Sequence, residues 1–308
     1  MGETSIGLGK TDSASSAPMI SGALLVDKPP GISSAKAVAI IKRLLPRKTK
    51  VGHTGTLDPL ASGLLVVMVG KATRLSRYVT GMEKSYTATA RLGATSTTLD
   101  AEGEIIELES PIPDEDSIRA ALPTFTGKTK QLPPMASAIK VGGERLYKLH
   151  RRGVEVEREE REVEVHSFDL ISFDETSNEA AFHISCGSGI YVRSLVSDLA
   201  ESLGSGAYLT SLRRTSVGPF DVDEASPPDT LDEGSIHNHI IPLMETVSHL
   251  PVVEIGDEMA RGVKNGRPIS VSGDVAGSFR VESGGELLAV YEAGEDGVAR
   301  PEVVLCAG

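Results

Sequence analysis

The clearest feature of the hydrophobic pattern is an unbroken apolar run at residues 64–69, which ends at Gly70. A run without alternation predicts a strand that is buried on both faces. Elsewhere apolar and polar residues alternate, which is typical of strands with one buried face. These alternating strands are predicted at residues 86–92, 162–173 and 180–186.

Helical periodicity is clearest in the segment that begins near residue 33. Ala37, Ile41 and Leu44 recur at helical spacing, and Ser33 or Ser34 precedes them as a capping residue. We therefore expect a helix that runs to about residue 45 and buries one face. Further helices are predicted at residues 73–78, 114–122 and 191–203.

Composition divides the chain into segments. Residues 1–20 are rich in Ser, Gly and Thr and have no apolar stretch, so we expect a disordered leader rather than a secretory signal. Residues 21–248 carry the patterns of a main domain. Within them, residues 126–153 are rich in Gly, Pro, Lys and Arg and predict a long exposed excursion. In residues 249–308, short strands and Gly-rich turns predict a small all-β domain.

The composition of the whole chain is ordinary for a globular protein. Of its 308 residues, 40% are hydrophobic and 24% are charged. No apolar run approaches the roughly 18 residues that a membrane span needs. The two cysteines, Cys186 and Cys306, are far apart and lie in no metal-ligand spacing. They indicate free thiols in a reducing cytoplasm.

Charge is distributed unevenly along the chain. Residues 24–98, the basic window, contain twelve Lys or Arg and three acidic residues, whereas the whole chain has a net charge of −12. A basic face on an acidic protein can guide a polyanion such as a nucleic acid. The alternative is a chance cluster of solvated charges. The three acidic residues of the window are Asp27, Asp58 and Glu83.

Asp58 lies in a loop at residues 52–63 that leads directly into the apolar run. Pro59 restricts the backbone of Asp58 to the extended region and stiffens the turn. A carboxylate on a rigid loop beside a central strand is well placed for catalysis. The alternative is a turn in which Asp58 only caps backbone N–H groups.

Two other motifs carry little weight. Ser-x-x-Lys spacing at Ser33 and Ser137 also occurs in serine acyl-enzymes, but the Ser-Asp-Asn and Lys-Thr-Gly elements that accompany it there are absent from this sequence. His237 and His239 have no third metal ligand near them in the sequence. A solvated pair of histidines is therefore favoured over a metal site.

Eight short motifs follow one another between about residues 22 and 220. They are Asp27-Lys28-Pro29-x-Gly31, Gly52-His53-Thr54-Gly55-x-Leu57-Asp58-Pro59-x-Ala61-x-Gly63, Gly70-x-Ala72-Thr73-Arg74, Lys84-x-Tyr86, Thr98-x-Asp100-x-x-Gly103, Pro133-Pro134-x-x-Ser137-Ala138-x-Lys140, Gly189-x-Tyr191-Val192-Arg193 and Leu212-Arg213-Arg214. In this order they resemble the bacterial tRNA pseudouridine synthase B (TruB) family. One position departs from the family pattern, Ile190, where a Thr or an aromatic residue is more usual.

The resemblance implies an α+β fold with a mixed, mainly antiparallel central sheet flanked by helices, followed by a small C-terminal PUA-like all-β domain that binds RNA. It also implies isomerisation of uridine to pseudouridine at position 55 in the T-loop of tRNA, with the base flipped out of its stack. Residues 126–153 match the insertion with which the family grips RNA. The resemblance further implies a monomer that needs no cofactor, no metal and no protein partner.

The resemblance also implies roles for individual residues. Asp58 matches the essential catalytic aspartate, which acts as nucleophile or base. Tyr86 matches the tyrosine that stacks on the uracil, and Arg193 the arginine that pairs with the aspartate. We expect Arg193 to hold Asp58 ionised through a bidentate contact. His53 matches a residue that helps to extrude the uridine. The remaining substrate-binding candidates are Lys28, Arg74, Asp100 and Tyr191.

Two alternatives to a stand-alone synthase remain open. The first is a tRNA-binding or tRNA-folding chaperone in which catalysis is secondary. The second is a synthase that works within a larger ribonucleoprotein. Asp58, Tyr86 and Arg193 favour an active enzyme, and the segment at residues 126–153 resembles the stand-alone bacterial form.

Overall fold

The computed structural model describes residues 20–137, 139–271 and 275–305. The predicted leader therefore lies outside the described residues except for Ile20, and Cys306 lies outside them as well. The strands of the main domain are β1 (Gly22–Lys28), β2 (Val51–His53), β3 (Ser62–Val69), β4 (Lys84–Leu92), β5 (Ala94–Ser96), β6 (Ile105–Glu107), β7 (Gly127–Gln131), β8 (Lys140–Val141), β9 (Glu144–Arg145), β10 (Arg161–Asp174), β11 (Glu179–Cys186), β12 (Ala207–Val217), β13 (Phe220–Asp221) and β14 (Ile240–Ile241). Its helices are α1 (Ser34–Arg43), α2 (Ser76–Thr80), α3 (Glu115–Ala121), α4 (Leu146–His150), α5 (Val192–Ser202) and α6 (Leu243–Thr246). The C-terminal segment contains β15 (Val252–Glu254), α7 (Asp257–Lys264), β16 (Ile269–Ser270), β17 (Ser278–Ser283), β18 (Glu286–Ala293) and β19 (Val298–Val304).

The main domain is organised around one large sheet. Its strand order is β14-β1-β3-β12-β4-β11-β10-β7, while β2 pairs with β3 and β13 pairs with β12 outside this path. Neighbouring strands run antiparallel except β3 and β12, which pair in parallel over a short stretch. The predicted mixed, mainly antiparallel sheet flanked by helices is therefore confirmed. No helix within the described ranges is long and apolar enough to span a bilayer.

Strand β3 lies inside this sheet and is buried on both faces, as its apolar run predicts. Leu65 and Val67 enter one hydrophobic core. Leu64 and Val66, which alternate with them, enter a second core on the other face. Because successive side chains of a strand point to opposite faces, this single strand anchors both cores.

The first core lies between the sheet and helices α1 and α5. Ala37 and Ile41 of α1 are fully buried in it, and α5 contributes Leu195. The side chain of Ser33 accepts a hydrogen bond from the backbone N–H of Lys36 and so caps α1. The helix that the sequence predicts in this segment is confirmed, with Ser33 as its N-cap.

The second core is shared between the main domain and the C-terminal segment. Leu287, Val290 and Val303 of the C-terminal sheet pack in the same cluster as Leu64 and Val66 of β3. Among the described residues, the C-terminal sheet has the strand order β15-β17-β18-β19-β16, with α7 beside it. This sheet agrees with the predicted C-terminal β domain.

Polar contacts cross the same boundary. The guanidinium of Arg74 donates a hydrogen bond to the backbone oxygen of Val304. Arg77 forms an ion pair with Glu302, and the hydroxyl of Tyr78 donates to the same carboxylate at 2.9 Å. The two sheets are therefore joined by apolar and polar contacts. The domain boundary between residues 248 and 249 stays a prediction.

Residues 126–153 do not form one exposed excursion, so this interpretation of the sequence is wrong at its N-terminal end. Strand β7 belongs to the main sheet and pairs with β10. Strand β7 lies at the edge of the sheet and has exposed lysines. Because edge strands often carry lysines, the composition of β7 resembles that of a loop. After β7, the described residues include the β8–β9 hairpin and α4. Only this later part leaves the sheet.

We expect Leu287→Ala to lower the free energy of unfolding of the whole chain by about 2–5 kcal/mol, because a buried leucine in a shared core leaves a cavity. Chemical denaturation followed by far-UV and near-UV circular dichroism measures this change. Met259→Ala is the control, because Met259 lies in the same segment with 48% of its surface exposed and should change stability by less than about 0.5 kcal/mol. A separate unfolding transition of the C-terminal segment alone would contradict the shared core.

Candidate active site

The loop that carries Asp58 is held in place by Lys28 at the end of β1. The Lys28 ammonium group is fully buried and donates to the backbone oxygens of Ile32 at 2.7 Å and Pro59 at 3.4 Å. Burial lowers the pKa of Lys28 to about 8, and the negative charge of Asp58 opposes this shift. Lys28 therefore fixes the backbone on the C-terminal side of Asp58.

Ser34, the first residue of α1, fixes the other side of the same loop. Its hydroxyl donates to the backbone oxygen of Leu57 at 2.9 Å and accepts from the Leu57 N–H at 2.8 Å. Asp58 thus lies between Leu57 and Pro59, whose backbone groups form hydrogen bonds with Ser34 and Lys28. The sequence indicated Ser34 only as a possible helix cap, because a hydroxyl that bonds a distant backbone leaves no local pattern.

Arg193, the second residue of α5, is the ionic partner of Asp58. Its Nη2 lies 2.9 Å from Asp58 Oδ2, and its Nη1 lies 3.3 Å from Asp100 Oδ2. The two nitrogens also donate to the backbone oxygens of Thr98 and Ala136, each at 2.8 Å. The predicted pairing is present, but the bidentate contact is not. The second nitrogen is taken by Asp100, so Arg193 bridges two carboxylates.

The pKa of Asp58 is raised from its ordinary value of 3.8. Burial by the surrounding walls is the largest cause, and the nearby Asp100 carboxylate adds to it. Arg193 and Lys28 lower the pKa but do not outweigh burial. Burial therefore outweighs the attraction of Arg193, and the expectation that Arg193 holds Asp58 ionised stays a prediction. A carboxylate with raised proton affinity suits general acid–base or nucleophilic work.

Asp58 opens into a cavity of about 390 Å³, a size within the range of small-ligand clefts. One third of the Asp58 side-chain surface is exposed to it. The lining residues come from the β2–β3 loop, the end of α2, β4, the segment after β7, the start of α5 with the residues before it, and β12. They are Gly55, Thr56, Leu57, Asp58, Thr80, Lys84, Tyr86, Ser137, Ser188, Gly189, Ile190, Tyr191, Val192, Arg193, Leu212 and Arg214.

Two tyrosines line this cavity. Tyr86 lies on the buried face of β4, opposite Arg214 in the β4–β12 register. Burial raises the pKa of Tyr86, and the adjacent Arg214 guanidinium opposes the shift. Tyr191 caps α5, and its backbone is pinned by Gln131, which donates to its carbonyl at 3.0 Å and accepts from its N–H at 2.7 Å. Both rings are held by rigid elements.

The other predicted substrate-binding residues do not line the cavity. Lys28 and Asp100 support the residues that do. Arg74 points away to the C-terminal segment and contacts Val304. His53 lies at the end of β2, and burial together with the charge of Arg214 lowers its pKa, which favours the neutral imidazole. Its Nδ1 is buried and has no hydrogen-bond partner among the described residues.

Two cations in the cavity received no role from the sequence. Arg214 is 2% exposed and donates to the backbone oxygens of Leu64 at 2.7 Å and Gly55 at 3.1 Å. Lys84 is 5% exposed, and burial lowers its pKa to about 8. Both lie within motifs that the sequence shows. Their burial is set by the pairing of β4 with β12, which no local pattern reveals.

The structure resembles solved structures of the same architecture. One is the crystal structure of a Cbf5-Nop10-Gar1 complex, with a TM-score of 0.71 and 27% identity over 93% of this chain and 85% of that chain. Another is an H/ACA RNP bound to a substrate RNA containing 2′-deoxyuridine, with a TM-score of 0.69 and 25% identity over 92% and 84% of the two chains. The sheet, with an aspartate and an arginine paired at its cavity, places the protein in the pseudouridine synthase class.

Family models and curated relatives narrow this class. Residues 42–192 match the TruB family pseudouridylate synthase N-terminal domain, and residues 193–241 match the tRNA pseudouridylate synthase B C-terminal domain. The tRNA pseudouridine synthase B of Thermobifida fusca is 43% identical over 93% of this chain and 99% of its own length. That of Aromatoleum aromaticum is 40% identical over 92% of each chain. The chain belongs to the TruB family, as its motifs indicate.

We expect Asp58→Asn to be more stable than the parent at neutral pH. A raised folded-state pKa means that ionising Asp58 costs stability as pH rises from 3.8 through the folded value, and asparagine does not ionise. Urea denaturation across pH measures the difference, which should vanish below the ordinary pKa of 3.8.

Asp27→Asn is the matched control for this substitution. Asp27 accepts from both terminal nitrogens of Arg213 at 3.0 and 2.9 Å, so its loss should lower stability at neutral pH. If Asp58→Asn lowered stability at neutral pH to the same extent as the control, that result would contradict the raised pKa of Asp58.

Proposed function

We propose that this protein isomerises uridine to pseudouridine at position 55 in the T-loop of tRNA. The observation that carries the proposal is the Asp58–Arg193 pair at a cavity lined by Tyr86. Moving uracil from an N-glycosidic to a C-glycosidic bond needs a carboxylate, a held base and no redox partner. The curated relatives named above, whose lengths this chain nearly spans, support tRNA as the substrate.

Within this proposal, the target nucleotide leaves its stack to reach Asp58. The cavity lies below the protein surface, and Tyr86 is only 7% exposed. A uridine in a folded T-loop reaches such a site by base flipping, which costs a few kcal/mol. Tyr86 then stacks on the uracil, and Tyr191 also lines the cavity. His53 acts outside the cavity, where a neutral imidazole helps to extrude the base.

Six cations of α1 and the turn that follows it provide the RNA docking face. All six are exposed, and none forms an ion pair with another described residue. The segment after β7 and the C-terminal segment extend this RNA contact. The six residues, which we name the α1 basic face, are Lys36, Lys42, Arg43, Arg47, Lys48 and Lys50.

We further propose that the protein acts as a monomer, without a guide RNA, a protein partner or a cofactor. Its location is the cytoplasm, where tRNA is modified. The buried Cys186 is a free thiol, in keeping with a reducing compartment.

Purified protein incubated with unmodified tRNA transcript tests the proposal. Pseudouridine should appear at position 55 alone, and a transcript with cytidine at that position should remain unmodified. Asp58→Asn should bind tRNA normally and form no more than a trace of product, because an amide is neither nucleophile nor base. Asp116→Asn, an exposed change in α3, is the control. Normal product from Asp58→Asn would overturn the assignment. Full tRNA-folding activity with no product from the parent would favour the chaperone alternative.

Tyr86→Phe should slow single-turnover isomerisation strongly and leave the tRNA dissociation constant nearly unchanged. The ring still stacks, whereas the hydroxyl beside Arg214 is removed. Tyr86→Ala should also weaken binding by roughly 1–3 kcal/mol, since base–aromatic stacking contributes that amount. Filter binding and rapid-quench kinetics measure the two effects. Identical behaviour of the two variants in both assays would exclude the stacking role.

Replacing Lys42, Arg43 and Arg47 of the α1 basic face by glutamine should weaken tRNA binding at low salt. The slope of log K against log salt should become shallower by about 0.7–0.9 for each phosphate that the variant no longer neutralises. Arg119→Gln is the control, because Arg119 is equally exposed but pairs with Glu115. An unchanged slope in the triple variant would place the docking face elsewhere.

A further inference from the structure

The cavity has two walls that differ in charge balance. On one wall, Arg193 lies between the carboxylates of Asp58 and Asp100. On the other wall, Arg214 and Lys84 are both almost fully buried and both line the cavity. Neither has a carboxylate within ion-pair distance in the part of the chain that the structure describes. This second wall is therefore positively charged without a counter-ion.

Backbone contacts hold these two cations but do not neutralise them. Arg214 donates to the carbonyls of Leu64 and Gly55, and Lys84 donates to those of Thr80 and Met82 at 2.9 and 2.5 Å. A buried cation without an anion destabilises the folded state. The pKa of Lys84 is lowered by burial first and by the charge of Arg214 second. Such a costly arrangement in a cleft is typical of a functional site.

The proposed isomerisation creates negative charge on the base. When the C1′–N1 bond breaks, its electron pair stays on the uracil and spreads over N1 and the two carbonyl oxygens. The departing pair leaves C1′ electron-deficient, and the Asp58 carboxylate balances that charge. The detached uracil turns, C5 supplies the electron pair of the new bond to C1′, a base removes the proton from C5, and N1 takes up a proton. Atoms and electrons balance without an oxidant or reductant. Between the two bonds, the uracil is an anion that needs a fixed positive partner.

We infer that Arg214, assisted by Lys84, is a further catalytic residue that binds a uracil carbonyl oxygen and stabilises the detached uracil anion. This inference rests on the proposed function. Arg214 is directly opposite Tyr86 in the strand register and lies beside its hydroxyl. The guanidinium has five N–H donors, of which Nε and Nη2 are used by backbone oxygens. Nη1 has no backbone acceptor among the described residues, and the side chain lines the cavity beside Tyr86.

The depth of the two cations favours a base over a phosphate as their ligand. Arg214 and Lys84 are 2% and 5% exposed, whereas the phosphates of a flipped nucleotide stay near the surface with the backbone. The cations of the α1 basic face are exposed and serve that purpose. Fixed hydrogen-bond donors stabilise charge that develops during a reaction, and removing one such donor lowers the rate about 10²–10³-fold.

Arg214→Ala tests the inference by loss and chemical rescue. With enzyme in excess of unmodified tRNA, the single-turnover rate should fall about 10²–10³-fold. The tRNA dissociation constant should stay within about threefold, because the buried Arg214 does not contact the phosphate backbone of the tRNA. Guanidinium chloride at tens of millimolar, far below the molar range that unfolds proteins, should restore roughly tenfold or more of the rate. Urea at the same concentration, with matched sodium chloride, should not.

Arg213→Ala is the matched control. Arg213 is the next residue on β12, but its side chain is 41% exposed and pairs with Asp27, away from the cavity. Its single-turnover rate should stay near that of the parent, and guanidinium should have no effect on it.

Several outcomes would overturn the inference. Rescue by urea as strong as by guanidinium would show that Arg214 fills space and does not supply charge. A parent-like rate in Arg214→Ala, or a loss explained wholly by weaker tRNA binding, would also overturn it. If Arg214→Ala does not fold, Arg214→Lys and Arg214→Gln replace it. The lysine variant keeps a positive charge that can bind the uracil oxygen, so it should then react about tenfold faster than the glutamine variant. Equal rates would overturn the inference.

The proposed function fails in a different way. A parent protein that forms no pseudouridine in unmodified tRNA would contradict both the function and this inference. An active parent with an Arg214→Ala variant that reacts at the parent rate would contradict the inference alone.

Discussion

The site depends on one buried arginine. Arg193 contacts Asp58, Asp100 and the backbone oxygens of Thr98 and Ala136 at distances between 2.8 and 3.3 Å. These partners come from three segments that are far apart in the chain. Burying a guanidinium is least costly when its donors are satisfied and its charge is balanced, as they are at Arg193. The Asp58 loop, the turn near residue 100 and the segment after β7 must therefore all be in place before Asp58 acquires its partner. This requirement couples formation of the site to completion of the fold.

Burial and charge act against each other throughout the cavity. Arg193 and Lys28 favour the ionised form of Asp58, yet its pKa is raised because the removal of water outweighs the attraction of the two cations. The same burial lowers the pKa of Lys84 and of His53. The cavity thus combines a carboxylate of raised proton affinity on one wall with unneutralised cations on the other. This distribution of charge suits a reaction in which the electron pair of the glycosidic bond moves onto the base and the base then forms a new bond to the sugar.

The sheet places this chemistry between two cores. Strand β3 sends alternate side chains into both, so the loop that precedes it is anchored from both faces. The second core continues into the C-terminal sheet, and the Arg74 and Arg77 contacts cross the same boundary. Because the C-terminal sheet shares a core with the main sheet, it is held rigidly relative to the cavity. Helix α1, which carries three residues of the α1 basic face, packs in the first core.

The sequence by itself determined the local elements and the identity of the chemical groups. Two-faced burial of β3, a serine cap of α1 at residue 33 or 34 and the stiff turn that contains Asp58 follow from periodicity, capping and turn rules that act over a few residues. The pairing of Asp58 with Arg193 came from the family resemblance. Only the tertiary structure decided that β7 is an edge strand, that Arg74 turns to the C-terminal segment, and that Arg214 lies beside Tyr86 without a carboxylate partner among the described residues. Strand order, register and the net effect of burial on a charge arise from contacts between distant residues, and no pattern along the chain records them.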